Sequence, residues 1–224
     1  MRLLAIDTAL AACSVGISRS DGTPDILLSE TIGRGHAERL SPMLRDAMAE
    51  AGLAFADLDR IAVTVGPGSF TGVRVGIAVA RGIALVTGAA MVGIGTLAAL
   101  ADSAREIAGP RPVLALLDAR RDELYGQLFA SHGGAVDPPE VGTAAMFANL
   151  VDADTLLAGS GAEAVAALIG GTAVARIVHR QAFPDIAAVL RLGRAAAPET
   201  AAPRPLYLRP PDAKPQAAAV LPRR

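Results

Sequence analysis

The 224-residue chain has 21 basic and 22 acidic side chains, a formal net charge of −1, and 52% hydrophobic against 3% aromatic residues. That composition suits one or two compact domains with cores of alanine, valine, leucine and glycine, and it argues against a free-standing nucleic-acid binder, which concentrates positive charge to neutralise phosphates. The lone cysteine, Cys13, excludes an intramolecular disulfide framework and a cysteine-rich metal site, and fits a reducing cytoplasm.

In chain order, residues 2–7 form an apolar run too short for a signal peptide and read as a strand. Residues 13–18 and 25–31 read as two more, with Asp21-Gly22 as a turn, so an antiparallel meander is expected. Residues 36–51 carry Leu40, Leu44, Ala47 and Ala51 at helical spacing and stop at Gly52; Pro42 predicts a kink, or a restart capped by Ser41. A buried-type strand at 61–65 leads into a glycine-rich turn, a helix at 70–86, a short strand at 91–92 and a helix at 96–107. The uncharged stretch 82–101 is long enough to span a bilayer, but Gly88, Gly93 and Gly95 divide it into helix end, strand and new helix, so no membrane span is expected.

After Gly109-Pro110, strands are expected at 112–118, 124–130, 156–158 and 173–178, with helices at 162–169 and 186–192. The second half thus reads as a degraded copy of the first. The expected organisation is a lobe over 1–108, a smaller lobe over 109–195, and a Pro/Ala-rich tail over 196–224, extended and partly disordered.

The stretch VGPGSFTGVR, residues 65–74, invites a chemical reading. It has no lysine for a Walker phosphate loop, and Thr71 stands where a dinucleotide fingerprint needs its third glycine. A nucleophile elbow needs glycines two residues either side of the serine; Ser69 has Pro67 and Thr71 there. The structural reading is a tight strand-to-helix turn in which Ser69 caps the helix, with anion contact through its free amides left open. Beyond it, Gly72, Gly76 and Ala80 recur every four residues beside Val73 and Ile77, a small-residue stripe that admits another backbone closely. That backbone belongs either to this chain's own sheet or to a partner. Pairing is the expectation, and it predicts that Gly76→Leu folds but does not pair.

The blocks MRLLAIDTALAACSVGI, GHAERLSPML, DLDRIAVTVGPGSFTGVRVGIAVARGIAL, VGIGTLAALA and VLALLDARRDELYGQLF, in that order, resemble the signature blocks of the bacterial TsaB (YeaZ) family. The resemblance is dense over residues 1–129 and thin beyond, with PLYLR at 205–209 as a further block. It implies an α/β fold of two related actin-like (ASKHA, ribonuclease-H-like) lobes with mixed sheets flanked by helices. It also implies a part in making N6-threonylcarbamoyladenosine on tRNA. There, a synthase forms threonylcarbamoyl-adenylate from threonine, bicarbonate and ATP, and a TsaD-type transferase, aided by a TsaE-type ATPase, passes the group on. A TsaB-type chain is then a non-catalytic cytoplasmic scaffold that pairs with the transferase through first-lobe helices and self-associates as a homodimer. It reaches tRNA only through the complex.

On this sequence the implied pairing surface is His36, Leu40, Met43, Gly72, Val73, Gly76, Ile77 and Ala80. TsaD-type transferases hold a metal with a His-x-x-x-His pair and an aspartate; His36, His132 and His179 give no such spacing, so no metal site and no catalytic residue are expected. Nucleotide or anion contacts are assigned to Asp7 and Thr8, an eroded phosphate turn lacking its glycine, to Ser69, and to Gly159 and Gly161, which an ordinary strand-to-helix turn explains equally well. No catalytic cofactor is expected; ATP or ADP is expected at most at a complex interface. Arg120 and Arg121, within Asp118–Glu123, read either as a solvated hairpin turn or as contacts to a partner carboxylate, nucleotide or tRNA phosphate. An autonomous actin-fold phosphotransferase and a glycoprotease-like hydrolase are the alternative functions.

Overall fold

Leu3–Asp7 (β1) is buried along its whole length, because strands flank it on both sides and helices cover both faces. A computed structural model describes residues 1–171, 173–197 and 201–209. β1 pairs antiparallel with Ala12–Ser18 (β2), which pairs antiparallel with Ile26–Thr31 (β3). On its other side β1 runs parallel to Arg60–Gly66 (β4), and β4 to Ala90–Gly95 (β5), giving the order β3-β2-β1-β4-β5. The parallel strands need crossovers, supplied by His36–Ala51 (α1) and Phe70–Thr87 (α2). Helix α1 runs through Pro42 as one element, which removes the restart at Ser41 from the two alternatives, and ends on Gly52 in the left-handed conformation that glycine adopts without strain.

Thr96–Ala108 (α3) leads to a second sheet of Val113–Asp118 (β6), Leu124–Phe129 (β7), Glu140–Gly142 (β8), Leu156–Ala158 (β9) and Ile177–His179 (β10). Its order, β8-β7-β6-β9-β10, repeats the first sheet strand for strand, with the same antiparallel and parallel pairings. The helices repeat as well: Ala144–Ala148 (α4), Ala162–Ile169 (α5) and Ile186–Ala195 (α6) occupy the chain positions of α1, α2 and α3. The expected strand at 173–178 is a 3-10 turn over Ala173–Arg176 followed by β10.

The third helices are exchanged. Leu97, Leu100, Ala101 and Ala104 of α3 pack on Val113, Ala115, Leu117 and Phe129 of the second sheet. Ile186, Val189 and Leu190 of α6 pack on Leu3, Ala5, Ala62 and Val92 of the first. Sequence order places α6 with the second lobe; its apolar stripe decides otherwise. Gly193 permits the approach, since a methyl there would lie 2.5 Å from Ala62 Cβ. Arg60 Nη1 secures the end of α6 by donating to the carbonyls of Gly193 and Ala196 at 2.9 and 2.7 Å, and Arg191 on α6 pairs with Asp102 on α3 at 2.7 Å. Each Leu, Ile or Val side chain buried in these layers contributes about 1.5–3 kcal/mol.

Residues 82–101 form the end of α2, β5 and the start of α3, as the glycines predict. By length and composition alone, α2 would suffice to cross a membrane.

Candidate functional site

The glycine-rich turn between β4 and α2 is closed by its own chain. A methyl on Gly68 would stand 2.3 Å from the Ala9 carbonyl oxygen, and one on Gly76 would stand 2.5 Å from Thr8 Oγ1. The turn between β1 and β2 therefore rests directly on the start of α2. The Ser69 amide donates to the Ala9 carbonyl at 2.7 Å, Thr8 Oγ1 donates to the Gly72 carbonyl at 2.8 Å, and Ser69 Oγ accepts from the Gly72 amide at 3.3 Å as the expected cap.

Asp7 lies beneath this contact with no exposure; its Oδ1 accepts from Thr64 Oγ1 at 2.6 Å and from the Ala9 amide at 3.0 Å, while Oδ2 has no partner among the described residues. Burial pushes the Asp7 carboxyl above its ordinary pKa, against the opposing pull of the Thr64 hydrogen bond. Of the phosphate-turn candidates Asp7, Thr8 and Ser69, the first two are thus built into the core, and only Ser69 is exposed.

The expected pairing surface is also inside. Leu40, Met43, Val73, Ile77 and Ala80 are at most 3% exposed, Gly72 and Gly76 are buried, and His36 is 8% exposed. The small-residue stripe admits β1 and the turn after it, so Gly76→Leu probes this chain's own packing rather than pairing.

The outward side of α2 is what remains available. Leu85 and Val86 are each 87% exposed, although both are large and apolar. Leu85 is nine residues from Gly76, about two and a half helical turns, and so points away from the buried stripe. That opposition is visible in the sequence and was the signal to use. An open pocket of about 240 Å³ lies beside these residues, lined by Phe55, Gly82, Ile83, Val86 and Thr87.

In the second lobe the Gly159–Gly161 turn is closed in the same way. The Gly159 amide donates to the His179 carbonyl at 2.7 Å and the Gly161 amide to the Leu116 carbonyl at 3.1 Å, so neither is presented to a phosphate. A methyl on Gly159 would meet Leu116 O at 2.2 Å.

Arg120, Arg121 and Asp122 form an exposed turn with φ of 63°, 56° and 59°, a left-handed run of three residues other than glycine. Each costs about 1 kcal/mol or more, so the surroundings must hold the turn in place. Asp118 Oδ1 accepts from the Arg120 amide at 2.7 Å, Ser160 Oγ accepts from the Asp118 amide at 3.0 Å, and the Ala119 amide donates to the Glu123 carbonyl at 2.9 Å.

A further brace comes from far along the chain. Arg209 donates to the Ala119 carbonyl at 2.6 Å and pairs with the Glu123 carboxylate. The segment 203–209 is a strap from α2 to this turn. Arg81 donates to the Pro203 carbonyl at 2.6 Å, the Leu206 amide donates to the Val65 carbonyl at 2.7 Å, and the Tyr207 ring lies 5.2 Å from that of Phe70. This part of the expected tail is docked; residues 198–200 and 210–224 lie outside the described residues.

Comparison with known proteins gives a consistent result. Residues 28–203 match the family described as TsaD: tRNA N6-adenosine threonylcarbamoyltransferase. The chain is 44% identical over 125 residues to the tRNA threonylcarbamoyladenosine biosynthesis protein TsaB of Escherichia coli (strain K12), covering 56% of this chain and 53% of that protein. It is 37% identical over 218 residues to an uncharacterized protein of Mycobacterium tuberculosis (strain ATCC 25618 / H37Rv), covering 96% and 95% of the two. The matches to the first curated relatives span about half of those proteins' length. Among solved structures, YeaZ from Pseudomonas aeruginosa superimposes with a TM-score of 0.76 at 33% identity, covering 92% of this chain and 99% of that one.

Proposed function

Because this chain belongs to the TsaB (YeaZ) family, with its actin-like fold, we propose that it serves the formation of N6-threonylcarbamoyladenosine on tRNA as a non-catalytic subunit. It pairs with a TsaD-type transferase and works beside a TsaE-type ATPase in the cytoplasm. The observation that carries the pairing is the exposed apolar end of α2, where Leu85 and Val86 stand in solvent and Val86 lines the Phe55 pocket. An apolar patch of this kind marks a protein-binding surface, and two copies of the chain in the absence of the transferase meet through it.

The non-catalytic assignment is supported by the turns that would receive phosphate. Thr8 and Ala9 fill the first, and backbone carbonyls take the Gly159 and Gly161 amides of the second. This reading places ATP or ADP at most at an interface of the complex.

The test is reconstitution of synthase, transferase, TsaE-type ATPase, ATP and tRNA with the chain present or omitted. Modified nucleoside is expected only when the chain is present, with no ATP turnover by the chain alone. Equal product without it would overturn the reading.

A further inference from the structure

Helix α2 divides its outward side in two. Its last turn, before Gly88, exposes the apolar Leu85 and Val86; the turns before that carry Arg74, Ala78 and Arg81. Against this basic stretch lies the strap, and between them runs an open groove of about 390 Å³ lined by Arg74, Ile77, Ala78, Arg81, Pro205 and Tyr207.

The Arg74 guanidinium carbon lies 3.5 Å from the Phe70 ring centroid and 5.4 Å from that of Tyr207, and the two rings keep 37% and 41% of their residues' surface exposed. Along the strap follow Arg204 and Arg209, and beyond Arg209 the turn that carries Arg120 and Arg121. Among the described residues the acidic neighbours are Asp118, Asp122 and Glu123; Glu123 is neutralised by Arg209. Six arginines against three carboxylates, among the described residues, therefore lie along this strip of a chain whose net charge is −1.

We propose that this strip is an RNA-contacting surface, its groove taking a single-stranded stretch with phosphates on Arg74 and Arg81 and an unstacked base on the Tyr207 ring. Planar guanidinium groups match phosphate oxygens, and bases splayed from loops stack on aromatic rings and arginine planes. The apolar last turn of α2 meets protein, and the basic, ring-bearing stretch from Phe70 to Arg81 meets the nucleic acid. The modest number of cations makes it an auxiliary contact within an assembly, in keeping with the chain's low net charge. The inference rests on the proposed role in tRNA modification, which supplies the RNA.

The experiment titrates a fluorescein-labelled anticodon stem-loop RNA with the purified pair of this chain and a TsaD-type transferase, reading anisotropy between 50 and 200 mM salt, a range over which counterion release is large. Arg74→Ala and Tyr207→Ala are each expected to weaken RNA binding about tenfold, as loss of one stacked base or one phosphate contact does. Tyr207→Phe, which keeps the ring, is expected to bind within about twofold of wild type. Arg74→Ala should also flatten the dependence of log affinity on log salt by about 0.7.

Arg120→Glu, on the exposed turn, repeats the test off the ring stack should Tyr207→Ala fail to fold. Unchanged RNA affinity in Arg74→Ala and Arg120→Glu overturns the proposal. So does loss of transferase pairing with RNA affinity intact, which would give the strip to the protein partner. If the wild-type chain does not pair with the transferase at all, the proposed function fails separately. The same titration of the full chain alone at low salt then decides the strip by the same Arg74→Ala comparison.

Discussion

Thr8 and Gly72 are held face to face: the Thr8 hydroxyl donates to the Gly72 carbonyl at 2.8 Å, and a side chain on Gly72 would begin 2.1 Å from the Thr8 carbonyl oxygen. The backbone cannot yield there without moving α2 off the sheet. Gly72→Ala is therefore expected to cost about 1–3 kcal/mol, the usual penalty for overpacking. A urea titration followed by far-ultraviolet circular dichroism checks this through a lowered midpoint; an unchanged midpoint would mean that the contact relaxes freely.

On the opposite side of the same helix the expectation reverses. Leu85→Glu and Val86→Glu alter side chains that are 87% exposed, so stability should stay within about 0.5 kcal/mol of wild type. Affinity for the TsaD-type transferase should fall at least about tenfold, because a charge placed at an apolar contact must be desolvated. Calorimetric titration measures it. Pairing at wild-type strength would remove this end of α2 from the interface.

Asp7 gives a dependence on pH. Its carboxyl is buried with Oδ2 unpartnered, and its pKa is raised on folding, so its protonated form is favoured in the folded state. The contribution is fully present below the unfolded pKa and is lost as pH rises through the folded pKa. Between those two values the slope approaches about 1.4 kcal/mol per pH unit. Asp7→Asn keeps the acceptor for Thr64 and Ala9 without the charge, so its stability relative to wild type should grow as pH is raised above the ordinary carboxyl range. Urea midpoints at each pH test this, and parallel curves for the two proteins would contradict it.

The strap can be loosened at one end. Arg209→Ala removes the hydrogen bond to Ala119 and the pair with Glu123; since Glu123 is partly exposed, the loss should be about 1 kcal/mol. Amide exchange should accelerate at Leu206, whose N–H donates to Val65, more than in the central strands. Unaltered exchange at Leu206 would show that Arg81 and the Tyr207–Phe70 contact suffice to hold the segment.

Much of the fold was legible because its elements are long or sharply punctuated. α2 and α3 begin where glycine turns end, and the three-strand meander follows its apolar runs. β8 and α4 escaped notice because a three-residue strand and a five-residue helix carry no measurable period. What fixes them is tertiary: the Phe147 ring fills the space that Gly126 leaves open on β7, where a methyl would lie 2.2 Å from Cε1. The candidate site was misread for a related reason. A stripe of small residues announces that a backbone approaches but not whose, and the ownership is decided by Thr8 and Ala9, some sixty residues earlier in the chain. Gly159 and Gly161 likewise marked a turn correctly, while the fate of their amides depended on His179 and Leu116.

The exchange of α3 and α6 bears on how the molecule can come apart. A cut after Gly109 strips α6 from Leu3, Ala5 and Ala62, and strips α3 from Val113, Ala115 and Leu117, so each fragment would show water a naked apolar sheet. Repetition in the sequence thus does not confer modularity. The halves are expected to melt together in one transition, and neither is expected to work when excised, swapped or expressed alone.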